Sequence, residues 1–212
     1  LTIIACFAIG LGAALTPVGE PLSTIATAKL KGPPYHADFF FLFKHLWFLI
    51  IPGVVIFGII GAFLRTQQQN VNTQSKVIQE ETTKDILLRT GKVYLFVMAL
   101  IFLGAGFRPV IDAYIVPLGD IALYWINTVS AVLDNATLAS AEISPKMKLD
   151  QIQFALMGLL ISGGMLIPGN IPNIIAASKL DIKSKQWAKF GLPVGFAVLV
   201  IYFIAMLIFI LA

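Results

Sequence analysis

Long apolar blocks separated by short polar segments set the pattern of this chain. An α-helix rises about 1.5 Å per residue, so about 20 apolar residues are enough to cross the hydrocarbon layer of a membrane. The pattern therefore predicts a series of membrane helices. The blocks are Leu1 to Leu30, Leu46 to Leu64, Val93 to about Val116, Leu118 to Ala141, Ile152 to Ser178 and Phe190 to Ala212.

Two of these blocks are interrupted in the same way. The first contains the run Thr16-Pro17-Val18-Gly19-Glu20-Pro21, and a later one contains Pro168-Gly169-Asn170-Ile171-Pro172-Asn173. In each, small and apolar residues precede the first proline, and a lysine lies in the polar tail. Proline removes a backbone donor and clashes with the preceding helical turn, so both runs predict broken helices. Their similarity indicates an internal repeat.

The block Leu118 to Ala141 differs from a plain span, because polar side chains interrupt it. We interpret it as a re-entrant hairpin that does not cross the membrane. Counting the crossings between the two broken helices then gives them opposite orientations, which is an inverted-topology repeat. The polar residues of the block are Asn127, Ser130, Asp134, Asn135 and Thr137.

The expected fold is thus an all-α integral membrane protein with an inverted-topology repeat, two broken helices, a re-entrant hairpin and plain transmembrane helices. Residues 1–64 contain a broken helix and a transmembrane helix, and they end the first repeat. Residues 65–90 form a polar connecting loop. Residues 91–212 form the second repeat, with a transmembrane helix, the hairpin, the second broken helix and a last transmembrane helix.

Composition supports insertion into a lipid bilayer. Hydrophobic residues make up 58% of the chain, charged residues make up 12%, and the mean hydropathy is +0.88. A soluble domain needs more polar surface, so we expect an integral protein of an inner or plasma membrane. The net charge of +4 comes from dispersed basic residues, which argues against nucleic-acid binding. The single cysteine, Cys6, excludes an internal disulfide.

Glu20 and Asp134 are the sharpest candidates for a binding site. A carboxylate inside an apolar segment is costly and is by default functional, and a helix break offers free carbonyl groups and helix-end dipoles. Oxygen-rich surroundings suit a small cation or a proton, so Glu20, Asp134 and Asn135 are the candidate metal ligands. The candidate ion-binding residues are Thr16, Gly19, Glu20, Ser23, Ser130, Asp134, Asn135, Thr137, Gly169, Asn170 and Asn173. The amides and hydroxyls among them could instead satisfy backbone groups freed by the breaks.

The motifs around these residues resemble those of the ion transporter superfamily, which includes arsenite pumps, type D sodium/proton antiporters and dicarboxylate/sodium symporters. The resemblance rests on Gly12 to Pro21, Ser130 to Asn135 and Gly163 to Asn173, and it is greatest to a group of predicted cation transporters. It implies an elevator-type carrier that forms a homodimer. Such carriers have two hairpins, whereas this chain has one, so we expect the upstream half of a larger protein or a partner chain to complete the site. Ala136 and Leu138 also depart from the family pattern.

The leading hypothesis is a secondary active transporter, a cation/proton antiporter in which Glu20 and Asp134 bind either a proton or a cation such as sodium. A sodium-coupled carrier of anions or oxyanions is one alternative, because helix N-termini can hold anions. A noncatalytic membrane subunit of a larger complex is another. We expect no enzyme activity, because the two histidines share one loop and no catalytic constellation occurs. We expect no cofactor besides the transported ion.

Overall fold

The computed structural model describes residues 1–66, 83–106 and 108–211, and these residues form helices and turns without a strand among them. The all-α prediction is therefore confirmed for this part of the chain. In chain order the helices are α1 (Thr2–Ala13), α2 (Pro21–Lys29), α3 (Phe41–Thr66), α4 (Thr83–Gly106), α5 (Arg108–Val110), α6 (Asp120–Ile126), α7 (Asn135–Glu142), α8 (Leu149–Gly163), α9 (Ile171–Leu180) and α10 (Ser184–Phe209).

Short turns of other helical types join some of these helices. A π-helical turn, Ile111–Ile115, follows α5, and 3₁₀ turns occupy Asn127–Ala131 after α6 and Ile167–Gly169 after α8. The predicted polar connection, 65–90, lies largely outside the described residues. Its described ends belong to α3 and α4.

Among the described residues, two helices are long and apolar enough to cross a membrane: Phe41–Arg65 within α3, and α10. They contain the predicted plain spans Leu46 to Leu64 and Phe190 to Ala212 in large part. Each has one internal proline, Pro52 in α3 and Pro193 in α10, and each helix continues through it. A lone proline costs one backbone hydrogen bond and a local clash, which these long helices tolerate.

Helix α8 lies at the centre of the molecule. Its residues are buried from Gln151 to Gly163, and α6, the 3₁₀ turn after α6, and α10 all pack against it. The hydroxyl of Tyr124 in α6 donates to the carbonyl of Leu199 in α10 at 2.7 Å. A helix that is hydrophobic on all sides is typically buried among other elements. The burial of α8 agrees with this expectation.

Helices α1 and α3 form a second packed pair beside this centre. The rings of Phe7 and Phe57 stack with centroids 5.5 Å apart. The hydroxyl of Tyr202 in α10 donates to the Leu49 carbonyl at 3.2 Å, so α10 contacts both groups of helices. Helix α1 also packs against α9, the helix that follows the second interrupted segment.

Candidate functional site

The segments 14–20 and 164–170 interrupt the helices with nearly the same local geometry. They connect α1 to α2 and α8 to α9, and each ends on an extended residue at the N-cap of the following helix. Those N-caps are Glu20, with φ −156° and ψ 159°, and Asn170, with φ −154° and ψ 147°. Neither side chain makes a capping hydrogen bond, and a proline follows within the first two helical positions. We call these segments the first and second breaks.

Side chains just after each break satisfy carbonyl groups that the break has freed. The Ser23 hydroxyl donates to the carbonyl of Ala14 at 2.9 Å. The Asn173 amide donates to the carbonyls of Gly163 and Leu166 at 3.0 and 2.8 Å. Buried carbonyls without such partners would cost several kcal/mol each in an apolar medium. Ser23 and Asn173, two predicted ion-binding residues, thus form hydrogen bonds to the backbone. The buried Oδ1 of Asn173 has no hydrogen-bond partner.

The turn before α7 supplies the third component of the site. Asp134 is the N-cap of α7, and its Oδ2 accepts hydrogen bonds from the backbone N–H and the hydroxyl of Thr137 at 2.9 and 3.0 Å. An aspartate in this position stabilises a helix by filling its first unpaired donors and by facing the positive end of its dipole. At the other end of α7, the Lys29 ammonium group donates to the carbonyls of Ser140 and Ile143.

Glycine permits the close approach of the second break to this turn. A Cβ placed on Gly169 would lie 2.5 Å from the carbonyl oxygens of both Gly163 and Ser130. All of these contacts are with backbone atoms, which cannot rotate away as a side chain can. The Ser130 hydroxyl in turn donates to the Leu159 carbonyl at 3.1 Å. Gly169 and Ser130, both predicted ion-binding residues, therefore hold the backbone in place.

Glu20 is the central residue of the arrangement. Its side chain is 7% exposed, and both carboxyl oxygens are shielded from solvent and lack a hydrogen-bond partner. Asp134 acts on it through its negative charge, and the side chain of Asn135 approaches it as a hydrogen-bonding group without reaching normal hydrogen-bond geometry. The Asn135 amide nitrogen is also buried without a partner, and it lies 3.4 Å from a Cβ built on Gly163. Asn135 thus stands between the two breaks, with an unused donor beside a carboxyl group that has unused acceptors.

The other predicted residues lie around this centre. Asn170 is buried at 3% exposure, and its amide nitrogen lies 2.8 Å from a Cβ built on Gly10 of α1. Thr16 is half-buried within the first break, and its carbonyl accepts from the N–H of Gly19 at 3.1 Å. A Cβ on Gly19 would overlap the carbonyl oxygen of Ala13. The first break can therefore close only with glycine at this position.

A cleft of about 550 Å³ opens between α1, the first break and α9. Its walls are largely apolar and include Ile9, Ile171 and Ile175, while Glu20 and the exposed Lys179 also line it. Because the carboxyl oxygens of Glu20 are shielded, the cleft does not give water access to them. The carboxyl group is therefore occluded in this conformation.

Sequence reasoning missed a second buried carboxyl group, Glu142, which is 8% exposed. It interacts with Asn127, which is 1% exposed and belongs to the turn after α6. The available signal was a carboxyl residue at the end of a helix made of small residues. It was overlooked because Glu142 directly precedes the polar segment that contains Pro145 and Lys146.

Within the described residues, no group of three or more His, Cys, Asp or Glu side chains is placed to hold a metal ion. A cation at Glu20, Asp134 and Asn135 would thus have two carboxyl groups and one amide, supplemented by other oxygens.

Comparison with known proteins places the chain in a family. Residues 1–210 match a family described as a protein of unknown function, DUF1646. No curated protein and no solved structure matches the chain.

Proposed function

We propose that this chain, which belongs to the protein family DUF1646, is a secondary active transporter that exchanges protons for a cation at Glu20. The observation that carries the proposal is the state of the Glu20 carboxyl group. It is shielded from solvent at a helix break, makes no hydrogen bond of normal geometry, and lies beside Asp134 and Asn135. A buried carboxylate in this state requires a proton or a cation to offset its lost hydration.

Insertion in a membrane is the first part of the proposal. The outer faces of the two long apolar helices support it, since neither face is covered by other described residues. Exposed side chains on α3 include Val55, Ile59 and Phe63, and those on α10 include Ile201 and Ile208. Apolar faces of this length suit contact with lipid chains.

An inverted repeat is the second part. The matching geometry of the two breaks supports it. So do the hydrogen bonds that Ser23 and Asn173 donate, because each satisfies a backbone carbonyl at the end of the preceding helix. Broken helices persist at membrane depth where they line a cavity or bind a ligand. In this arrangement the turn before α7 is the tip of a re-entrant hairpin, and it meets both breaks near the middle of the membrane.

The mechanism follows from what one carboxyl group can hold. Protonated Glu20 is neutral and can donate one hydrogen bond, whereas ionised Glu20 can bind a cation together with Asp134 and the carbonyl oxygen of Asn135. A single carboxylate does not hold both ligands at once. Binding of one therefore displaces the other, and this competition couples the movement of protons to that of the cation. A carboxylate at the breaks would repel an anion, so the anion-carrier alternative has less support.

Transport by reconstituted protein tests the proposal. Acid-loaded proteoliposomes receive sodium, potassium, lithium or calcium outside, and proton efflux is followed with a pH-sensitive dye. We expect efflux with at least one cation, and we expect Glu20→Gln and Asp134→Asn to abolish it. Asp38→Asn is the matched control, because Asp38 pairs with Lys44 in an exposed loop and its loss should leave efflux unchanged. Folded protein that responds to none of these cations would refute antiport and favour an anion carrier or a subunit role.

A further inference from the structure

A groove separate from the Glu20 cleft lies between the beginning of α1 and the first half of α10. It has a volume of about 500 Å³, and its walls are largely apolar. Ile4 of α1, Leu64 of α3, and Phe190 and Val194 of α10 are among the residues that line it. Phe190 is 60% exposed, so the groove opens at the outer surface of the helices.

The antiparallel pairing of α3 and α10 places this groove at one end of the molecule. At the other end of the pair, the ring of Phe48 near the beginning of α3 contacts the ring of Phe209 at the end of α10, with centroids 6.4 Å apart. Leu64 near the end of α3 and Phe190 near the beginning of α10 instead line the groove together. Ile182, which lies between α9 and α10, lines it as well. We call this the groove end of the molecule.

Positive charge is concentrated at the groove end. The described residues at the ends of α3 and α9 and at the beginning of α10 include five exposed basic side chains and one acid, Asp181. Residues 67–92 contain four basic residues and three acids, so even all three acids would leave an excess of positive charge here. The five basic residues are Arg65, Lys179, Lys183, Lys185 and Lys189.

The opposite end of the α3–α10 pair differs, because lysines there are paired with aspartates. Lys44 Nζ lies 2.6 Å from a carboxyl oxygen of Asp38, and Lys146 Nζ lies 2.6 Å from one of Asp112. The Tyr35 hydroxyl joins the two loops by donating to the carbonyl of the residue after Lys146. Positive charge on these two lysines is therefore offset by neighbouring acids.

An apolar groove beside a cluster of positive charges matches the two parts of an acidic phospholipid. We propose that such a lipid binds at the groove end, with one acyl chain in the groove and its phosphate group at Lys183 and Arg65. Lys183 lies four residues before Trp187 and seven before Phe190, two residues that line the groove, so it shares their side of α10. Arg65 directly follows Leu64 in α3.

Net charge selects an acidic lipid over a zwitterionic one. Basic side chains near a membrane surface attract headgroups that carry net negative charge, whereas the cationic group of a zwitterionic lipid is repelled by them. A soluble phosphate compound would leave the apolar groove unfilled. The inference rests on insertion in a membrane, the first part of the proposed function, and it does not depend on antiport at Glu20.

Fluorescence quenching by brominated lipids tests the proposal. Trp187 is the reporter, because it is buried and lines the groove, and Trp47→Phe and Trp125→Phe remove the other two tryptophans. The full chain is reconstituted in phosphatidylcholine vesicles with increasing fractions of brominated phosphatidylglycerol or, for comparison, brominated phosphatidylcholine. We expect half-maximal quenching at a fraction of phosphatidylglycerol that is roughly tenfold lower. Equal curves for the two lipids, or no quenching by either, would overturn the proposal.

Substitutions at the two ends of the molecule locate the headgroup. Lys183→Gln combined with Arg65→Gln should bring the two curves within about twofold of each other. Lys31→Gln combined with Lys148→Gln is the matched control, because these lysines are exposed and lie at the opposite end, and it should keep the preference. A preference that survives in the first variant, or an equal loss in the control, would refute the assigned contact.

Folding and membrane insertion have separate readouts. Lys183 and Arg65 are exposed, so the variant should melt within about 2 °C of its parent. If it melts lower, salt replaces the mutation: raising sodium chloride from about 50 to about 500 mM should remove most of the preference in the parent, because salt screens exposed charges. A preference unchanged by salt would contradict the proposal. A chain that stays in solution without detergent or vesicles would refute membrane insertion and this inference with it, whereas a chain that inserts but transports no cation should still show the preference.

Discussion

Replacement of Gly169 by alanine tests whether the second break depends on close backbone contact. The added Cβ would lie 2.5 Å from the carbonyl oxygens of Gly163 and Ser130 and 2.9 Å from the Cα of Gly163. Since all three atoms belong to the backbone, either the break or the 3₁₀ turn Asn127–Ala131 must move. Overpacking of this kind costs typically 1–3 kcal/mol, and we expect about 2 kcal/mol here.

A loss of about 2 kcal/mol lowers Tm by roughly 4 to 8 °C in a chain of this size. The assay is thermal unfolding of the purified protein in detergent, followed by circular dichroism. Gly58→Ala is the matched control, because a Cβ there meets nothing within 4 Å and α3 gains up to about 1 kcal/mol of helix propensity. If Gly169→Ala melts at the same temperature as the Gly58→Ala control or the wild type, the close contact between the break and the turn is refuted.

Three smaller predictions concern groups around the site. Ser23→Ala leaves a buried carbonyl at the end of α1 without its donor, so it should lower the free energy of unfolding by about 1–3 kcal/mol in chemical unfolding. Ser184→Ala, at an exposed position, is the control and should change that free energy by less than about 0.5 kcal/mol. Lys29→Met removes the ammonium group that binds two carbonyls at the end of α7 and should cost about 2 kcal/mol in the same assay; unchanged stability would contradict this. The hydrogen bond from Lys44 holds the pKa of Asp38 below its ordinary value, so the stability from this pair is present above the ordinary pKa and is lost as the pH falls through the lowered one. Lys44→Gln should raise the pKa of Asp38 in an NMR titration, and an unchanged pKa would rule out the pairing in solution.

The helical breaks are the feature that sequence reasoning located best. Single prolines inside apolar blocks, Pro52 and Pro193, leave α3 and α10 continuous. Paired prolines with a glycine and a polar residue between them occur where α1 and α8 end. One proline removes one backbone hydrogen bond from a helix. Two prolines four residues apart remove two, and the glycine between them lowers the stability of the helical conformation further.

The roles of individual side chains within the site were less accessible from sequence. Pattern alone leaves open whether Ser23, Ser130 and Asn173 bind an ion or the backbone, because a hydroxyl or an amide can do either. In the structure Ser23, Ser130 and the amide nitrogen of Asn173 donate to backbone carbonyls. Ion binding by the two hydroxyl oxygens stays a prediction, because a hydroxyl that donates its proton keeps lone pairs for a cation. Such contacts depend on how elements distant in sequence pack.

The burial of Glu142 was hard to predict for the same reason. Its neighbours along the chain are small and polar residues that are compatible with a surface position. Its burial depends on elements that pack against α7 and on Asn127, all of which folding brings to it from elsewhere in the chain. A pattern read along one stretch of sequence does not contain that contact.

The proposed transport depends on the exchange of a proton for a cation at one carboxyl group, that of Glu20. Its most direct test is proton release by the purified chain in weakly buffered detergent solution, measured with a pH indicator as sodium, potassium, lithium or calcium is added. We expect saturable release that approaches one proton per chain for at least one cation, and no release from Glu20→Gln. Equal release from the wild type and Glu20→Gln, or none from folded wild-type protein with any of these cations, would contradict it.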